Sequence, residues 1–396
     1  MAKTIEEINN KIAQGKAIVL TAEEIIPLVK KQGTQKVSET VDVVTTGTFS
    51  PMCSSGAFLN IKQPRKKIKF GGGHVFLNDV PAYAGLAAAD IYIGATALKE
   101  SDPRNSRRRP GKFHYGGAHV IEDLIAEKKV TLKAGAYGTD CYPGKHREQS
   151  VGLADMNDAF MFNPRNCYQN YNVAVNLSDK PIYTYMGKLK PRIGNANYCS
   201  AGQLSPLFND PYYRTIGVGT RIFLCGAQGY VAWHGTQHSP AGPRLENGVP
   251  KSPAGNVALI GNMKEMRSRW VRAVSFSGYG ATLSVAVGVP IPMLDEEMAR
   301  FVSVADADLT APIVDYSTYY PTGEGEASLG EVSYADLKSG SIQISGKEVP
   351  TGSFSSYGLA RQVAHHLKDL IQKGDFTLTR PQSLLPGATR NTEVPQ

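Results

Sequence analysis

A chain of 396 residues with 41% apolar and 20% charged side chains has ample material for a packed core, which excludes a disordered or fibrous protein. Forty glycines and 24 prolines argue for many tight turns and long ordered loops rather than long helical bundles. The net charge of +8 suits anionic substrates, but the basic residues cluster only at 65–67 and 107–109 with no nucleic-acid signature beside them, so both clusters read as solvated loops and no nucleic-acid partner is expected.

The five cysteines, Cys53, Cys141, Cys167, Cys199 and Cys225, are odd in number, widely spaced and without a Cys-x-x-Cys pair, which argues against a disulfide framework. The polar start and the lack of a long apolar run predict no signal peptide and no membrane span, hence a cytoplasmic protein with reduced thiols.

In chain order, Thr4-x-x-Glu7 and Thr21-x-x-Glu24 read as capping boxes opening two short helices, closed by Gly15 and Gly33, with Pro27 expected to kink or shorten the second. Val41–Val44 reads as a strand running into a loop of small and hydroxyl residues, Thr45 to Gly56. Cys53 sits in that loop, which either presents backbone N–H groups to an anion or is a plain strand-to-turn connection. Gly71-Gly72-Gly73 lacks the rest of a dinucleotide fingerprint. Ala88 to Leu98 reads as a buried strand leaving into a polar loop, Glu100 to Gly111. Gly116 to Ile125 reads as a loop feeding a helix, and Val130 to Ala136 as the strand that delivers Cys141.

The stretch Tyr137 to Arg147 is chemically the most suggestive. It puts Cys141 in a turn with Lys145, His146 and Arg147 close behind, and nearby cations favour the thiolate, the reactive form of cysteine. A buried structural cysteine is the alternative. The middle third, rich in Asn, Tyr and Pro, gives strands at Asn172–Leu177 and Ile182–Tyr185, and a hairpin of Thr220–Cys225 with Tyr230–Trp233 around Gly226–Gly229. Trp233, His234, Gln237 and His238 follow. His234-x-x-x-His238 would suit a metal on a helix, whereas Gly235 and Ser239-Pro240 argue for a loop making substrate contacts or local hydrogen bonds. Further on, Met263–Val274 reads as a helix, Ala281–Val289 as a buried strand and Asp295–Val304 as a helix capped by Asp295. A strand pair surrounds Ser345–Lys347. The last helix runs from Ser356 to Lys373, with His365 and His366 on a partly solvated face, and Gly374 ends it. The expected fold is one compact mixed α/β unit, α+β being open, with a mixed sheet and many ordered loops over residues 1–380. A flexible tail is expected over 381–396.

Several segments in order resemble the homocysteine-biosynthesis (HcyBio) family: Val80–Leu86, Tyr115–Leu124, Gly138–Pro143, Trp233–His238 and the closing stretches Ala360–Lys368 and Gly374–Thr379. The family's methanogen members carry an appended pair of CBS domains, and this chain resembles the shorter form. The resemblance implies a sulfur insertion that converts L-aspartate semialdehyde to L-homocysteine with a sulfide donor and a ferredoxin-like electron-donor partner. A homo-oligomer is left open. It also implies Cys141 as the reactive cysteine and Cys53 as the second. A persulfide on one cysteine would attack the aldehyde and leave when its S–S bond is reduced. Direct exchange between the two thiols needs Cα atoms within about 7 Å. Lys145, Arg147, Gln237 and His238 are candidate anchors for the substrate carboxylate, with Arg107 to Arg109 next in line. Two other readings stand beside this one: an iron–sulfur protein, with Cys53, Cys141 and one of Cys167, Cys199 or Cys225 holding a [4Fe-4S] cluster, and a non-enzymatic sulfur carrier or regulator.

Overall fold

The computed structural model describes residues 2–99, 113–317 and 328–388, so the arginines at 107–109 and their loop lie outside the described residues. Both capping boxes form. The Thr4 hydroxyl accepts the Glu7 N–H at 3.1 Å while the Glu7 carboxylate takes the Thr4 N–H, opening helix Ile5–Ala13. Thr21 and Glu24 repeat the exchange ahead of helix Ile25–Gln32. Pro27 falls in that helix's first turn, where its missing N–H has no partner to lose, so it causes no kink. Gly33 at φ 81° starts a further helix, Thr34–Thr40, that the sequence reading lacked.

The principal sheet has nine strands: β1 (Thr48–Pro51), β2 (Gly56–Ile61), β3 (Asp90–Gly94), β4 (Met156–Asn166), β5 (Arg221–Leu224), β6 (Ala227–His234), β7 (Val257–Asn262), β8 (Val271–Phe276) and β9 (Gly280–Gly288). Its order is β8-β9-β5-β6-β7-β4-β2-β3, with β1 added to β9, and every pairing is antiparallel. A six-stranded mixed sheet joins Val173–Val175 in parallel to Thr310–Asp315, and Ala196–Tyr198 in parallel to Lys347–Ser353. A four-stranded antiparallel sheet carries the Cys141 hairpin between Val130–Gly135 and His146–Val151. The fold is therefore mixed α and β, with an antiparallel main sheet as in α+β proteins.

The helix Tyr357–Gln372 covers β1 and β9 with Ala360, Val363, Ala364, Leu367 and Ile371, which recur at helical spacing and are all buried. Its close approach depends on Gly47, where any Cβ would collide with the Ala360 carbonyl. One apolar cluster draws on residues from Ile5 to Leu385, and a second fills the six-stranded sheet.

Four expectations are corrected. The Thr45–Gly56 loop is mostly strand: Thr45 ends strand Val43–Thr45, β1 follows, and only Met52–Ser55 turns. Met263–Val274 is not helical. Met263, Met266 and Trp270 are buried at a helix-like spacing, but they lie on two single 3₁₀ turns leading into β8. The hairpin turn of β5 and β6 is Cys225-Gly226, both at positive φ, so Gly229 lies inside β6. The tail expected from residue 381 is packed as far as residue 388. Ser383–Leu384 pairs with Gly217–Val218, and Leu385 is buried.

Candidate active site

A cavity of about 540 Å³ opens beside β1, the loop after β4 and the six-stranded sheet. Its wall includes Ser50, Cys53 and Ser54, then Arg165, Cys167, Tyr168 and Tyr171, then Tyr183, Tyr185, Cys199, Ser200, Gln237, Tyr279 and Tyr316. Cys53 is half-buried on the turn between β1 and β2. Ser55 closes that turn: its N–H and its hydroxyl both donate to the Met52 carbonyl, at 3.1 and 2.8 Å. The buried Asn163 of β4 in turn donates to the Ser55 hydroxyl at 2.8 Å. The thiol thus stands on a rigid turn tied to the central sheet.

The same wall carries a chain of phenols. The hydroxyls of Tyr171 and Tyr185 are 3.0 Å apart, and those of Tyr185 and Tyr316 are 2.9 Å apart. Burial and the flanking phenols push the Tyr185 hydroxyl far above its ordinary range, so Tyr185 stays neutral. Cys199 touches the Ser355 hydroxyl at 3.6 Å, and Ser355 lies 2.6 Å from Ser50. Burial pushes the Cys199 thiol up, against the pull of those two hydroxyls. Burial also holds Cys167 well above the ordinary thiol range and pushes Cys225, inside the sheet core, up to about 12.

Cys141 lies elsewhere. It is exposed at the tip of its hairpin, 3.6 Å from the Thr139 hydroxyl, and it is absent from the cavity wall. The hairpin is fixed at the far end of β2: Arg147 donates to the Lys62 carbonyl at 2.9 Å, and the Gly144 N–H to the Lys67 carbonyl at 2.8 Å. Six strand residues separate that end from the Cys53 turn, roughly 20 Å at about 3.3 Å per residue. Cys53 lines the cavity and Cys141 does not, so this cavity is not a pocket shared by the two thiols.

The other expected site residues divide in the same way. Gln237 lines the cavity mouth, 3.4 Å from the Tyr168 hydroxyl. Lys145 and His146 are exposed beside Cys141, and Arg147 is held by Lys62 and Gln149. Trp233 is 57% exposed on β6, with its ring centroid 5.4 Å from that of His234. His238 donates from Nε2 to the Pro386 carbonyl at 2.9 Å and accepts the Asn256 N–H at 3.1 Å on Nδ1, so it clamps the chain end. Among the described residues no three His, Cys, Asp or Glu side chains stand where they could hold a metal ion. Of the cysteines expected for a [4Fe-4S] cluster, Cys53, Cys167 and Cys199 line this cavity, whereas Cys141 and Cys225 do not.

The sequence reading missed Arg165 and the tyrosines. The only signal was the Tyr-rich middle third, in which Tyr168, Tyr171, Tyr183 and Tyr185 fall within 18 positions. Asn163→Ala tests the scaffold. It removes the donor to Ser55 and the acceptor of the Arg165 N–H, and should lower stability by about 1–3 kcal/mol in denaturant titration. An unchanged midpoint would show that the turn needs no such tie.

Residues 17–378 match the family described as "Homocysteine biosynthesis enzyme, sulfur-incorporation". The chain is similar to the L-aspartate semialdehyde sulfurtransferase of Methanosarcina acetivorans, 46% identical over 379 residues, covering 96% of this chain and 71% of that protein. It is also similar to the protein of that name from Methanocaldococcus jannaschii, 45% identical over 390 residues, covering 95% and 72%. An uncharacterized protein of Methanothermobacter thermautotrophicus is 26% identical over 347 residues, covering 86% and 72%. No solved structure matches. With a match over nearly its whole length and two relatives above 40% identity, the chain belongs to the homocysteine biosynthesis, sulfur-incorporation family.

Proposed function

We propose that the protein inserts sulfur into L-aspartate semialdehyde to form L-homocysteine, and that the chemistry takes place at Cys53. The observation that carries this reading is a thiol held on a tied turn in the wall of a cavity large enough for a four-carbon amino acid, a wall it shares with three hydrogen-bonded phenols. It is supported by the names of two relatives, both L-aspartate semialdehyde sulfurtransferases.

The balance sets what must be supplied. Aldehyde plus hydrogen sulfide becomes thiol plus water with two electrons and two protons. When the sulfur arrives as the outer atom of a persulfide, two more electrons and two more protons are needed to cleave the S–S bond. In the proposed sequence the outer sulfur of a Cys53 persulfide adds to the aldehyde carbon, and the persulfide's proton reaches the carbonyl oxygen through the phenol chain. Two electrons and two protons then break the S–S bond, restoring the Cys53 thiol and leaving a hydroxythiol. Loss of water gives the thioaldehyde, which two further electrons and two protons reduce to the thiol. The electrons come from an external low-potential carrier protein of the ferredoxin type. Cys141, exposed with Lys145 and His146 close behind it in sequence, is proposed as the thiol that an outside persulfide donor charges by exchange, releasing the donor thiol; a low-molecular-weight thiol then takes the sulfane sulfur by the same exchange and carries it to Cys53.

The protein, first charged with sulfane sulfur by polysulfide through thiol exchange and then freed of the excess, should form homocysteine when incubated anaerobically with L-aspartate semialdehyde and titanium(III) citrate, measured by mass spectrometry. No product above the protein-free control would overturn the reading and favour a sulfur carrier or regulator.

A further inference from the structure

Arg165 is the one charged side chain in the described wall of the cavity, and a defect in the sheet puts it there. β4 pairs with β7 in step from Phe160↔Asn262 to Asn163↔Leu259, but the next pair is Asn166↔Val257. Three positions on β4 are matched by two on β7, so β4 carries one extra residue, a bulge that re-aims a side chain where the ladder is interrupted. Pro164 fits such a place because it has no N–H to offer the ladder. Its carbonyl takes the Thr236 N–H at 3.1 Å, and the Arg165 N–H goes to the Asn163 side chain at 3.1 Å, so the bulge backbone is satisfied.

The guanidinium is not. Arg165 Nε is buried with no hydrogen-bond partner, and Arg165 forms no ion pair among the described residues. A charged donor left unpaired away from water is costly. Here it faces the same cavity as Cys53, and one side chain fixes both: Asn163 donates to Ser55 under the Cys53 turn and accepts from the Arg165 backbone.

We propose that Arg165 is the anchor for the substrate's carboxylate, holding it by charged, forked hydrogen bonds while the aldehyde end lies at Cys53. This rests on the function proposed above for the identity of the aldehyde, and it replaces Lys145, Arg147 and His238 in the role expected for them. Guanidinium geometry matches a carboxylate, so the site selects short aldehydes that carry one over those that do not.

The test pairs binding with kinetics. L-Homoserine keeps the carboxylate and amine but has no aldehyde, and 3-amino-1-propanol lacks the carboxylate. By calorimetry Arg165→Gln should bind L-homoserine about ten- to a hundredfold more weakly than wild type, the range for one charged hydrogen bond, and Arg165→Lys should recover part of the loss. Affinity for 3-amino-1-propanol should be the same in both proteins. In turnover, the KM for L-aspartate semialdehyde should rise by the same factor with kcat changed far less. Thermal denaturation of each variant separates misfolding from lost binding. Equal L-homoserine affinity in wild type and Arg165→Gln, absence of binding to wild type, or a loss confined to kcat would each overturn the anchor. Cys53→Ser keeps the two proposals apart. If it turns over normally while Arg165→Gln loses L-homoserine, the anchor stands and the Cys53 chemistry falls. If it is inactive while Arg165→Gln binds normally, the reverse holds.

Discussion

Cys53→Ser should retain the fold and lose homocysteine formation by about a thousandfold or more, the scale on which removing a covalent nucleophile acts when the rest of the site remains. The serine hydroxyl can keep the hydrogen bonding of the turn, whose closure rests on Ser55 and the Met52 carbonyl rather than on the thiol. It cannot hold a sulfane sulfur. The loss should therefore persist whether sulfane sulfur is offered as polysulfide or on a donor protein, and L-homoserine should still bind. Normal turnover by folded Cys53→Ser protein would move the chemistry to Cys199 or Cys167, the other thiols in the cavity wall. Burial raises both of those thiols away from the reactive form, so neither is expected to substitute.

Cys141→Ser should divide by sulfur source. With a persulfide-bearing donor protein, product should fall to the level measured without the donor, because the exposed hairpin tip carries the thiol a bulky donor can meet. With polysulfide, small enough to enter the cavity and charge Cys53 directly by thiol exchange, turnover should stay near wild type. The absence of Cys141 from the cavity wall that Cys53 lines is the reason for expecting two phenotypes rather than one. Equal loss with both sources would mean that Cys141 reaches the cavity after all, through movement of the hairpin or from a second copy of the chain. Equal retention would remove it from the reaction.

Local chemistry was legible in the sequence wherever it is settled within a few residues. Thr4 with Glu7, and Thr21 with Glu24, exchange the hydrogen bonds their spacing promised. Ser356 caps the helix whose buried stripe runs Ala360, Val363, Ala364, Leu367 and Ile371, and Gly374 at φ 80° ends it. The motifs at Val80–Leu86, Tyr115–Leu124 and Gly138–Pro143 were enough to point to the family, since family membership is carried by residue order alone. The two thiols of interest were also picked correctly as lying on turns, at Cys53 after β1 and Cys141 at a hairpin tip. Their distance was not legible. It depends on which end of β2 each loop meets, and that is fixed by hydrogen bonds between segments far apart in the chain, such as Arg147 to Lys62. Arg165 was invisible for the same reason. Read locally, Asn-Pro-Arg-Asn is a polar loop, and only the one-residue slip of β4 against β7 turns its arginine into a cavity. The expected helix over Met263–Val274 failed because buried residues at helical spacing can equally be supplied by two short turns and a strand, and β9, lying alongside, offers a ladder that a helix cannot use. Burial, register and the meeting of distant loops belong to the whole fold, and they decided which cysteine and which arginine face the cavity.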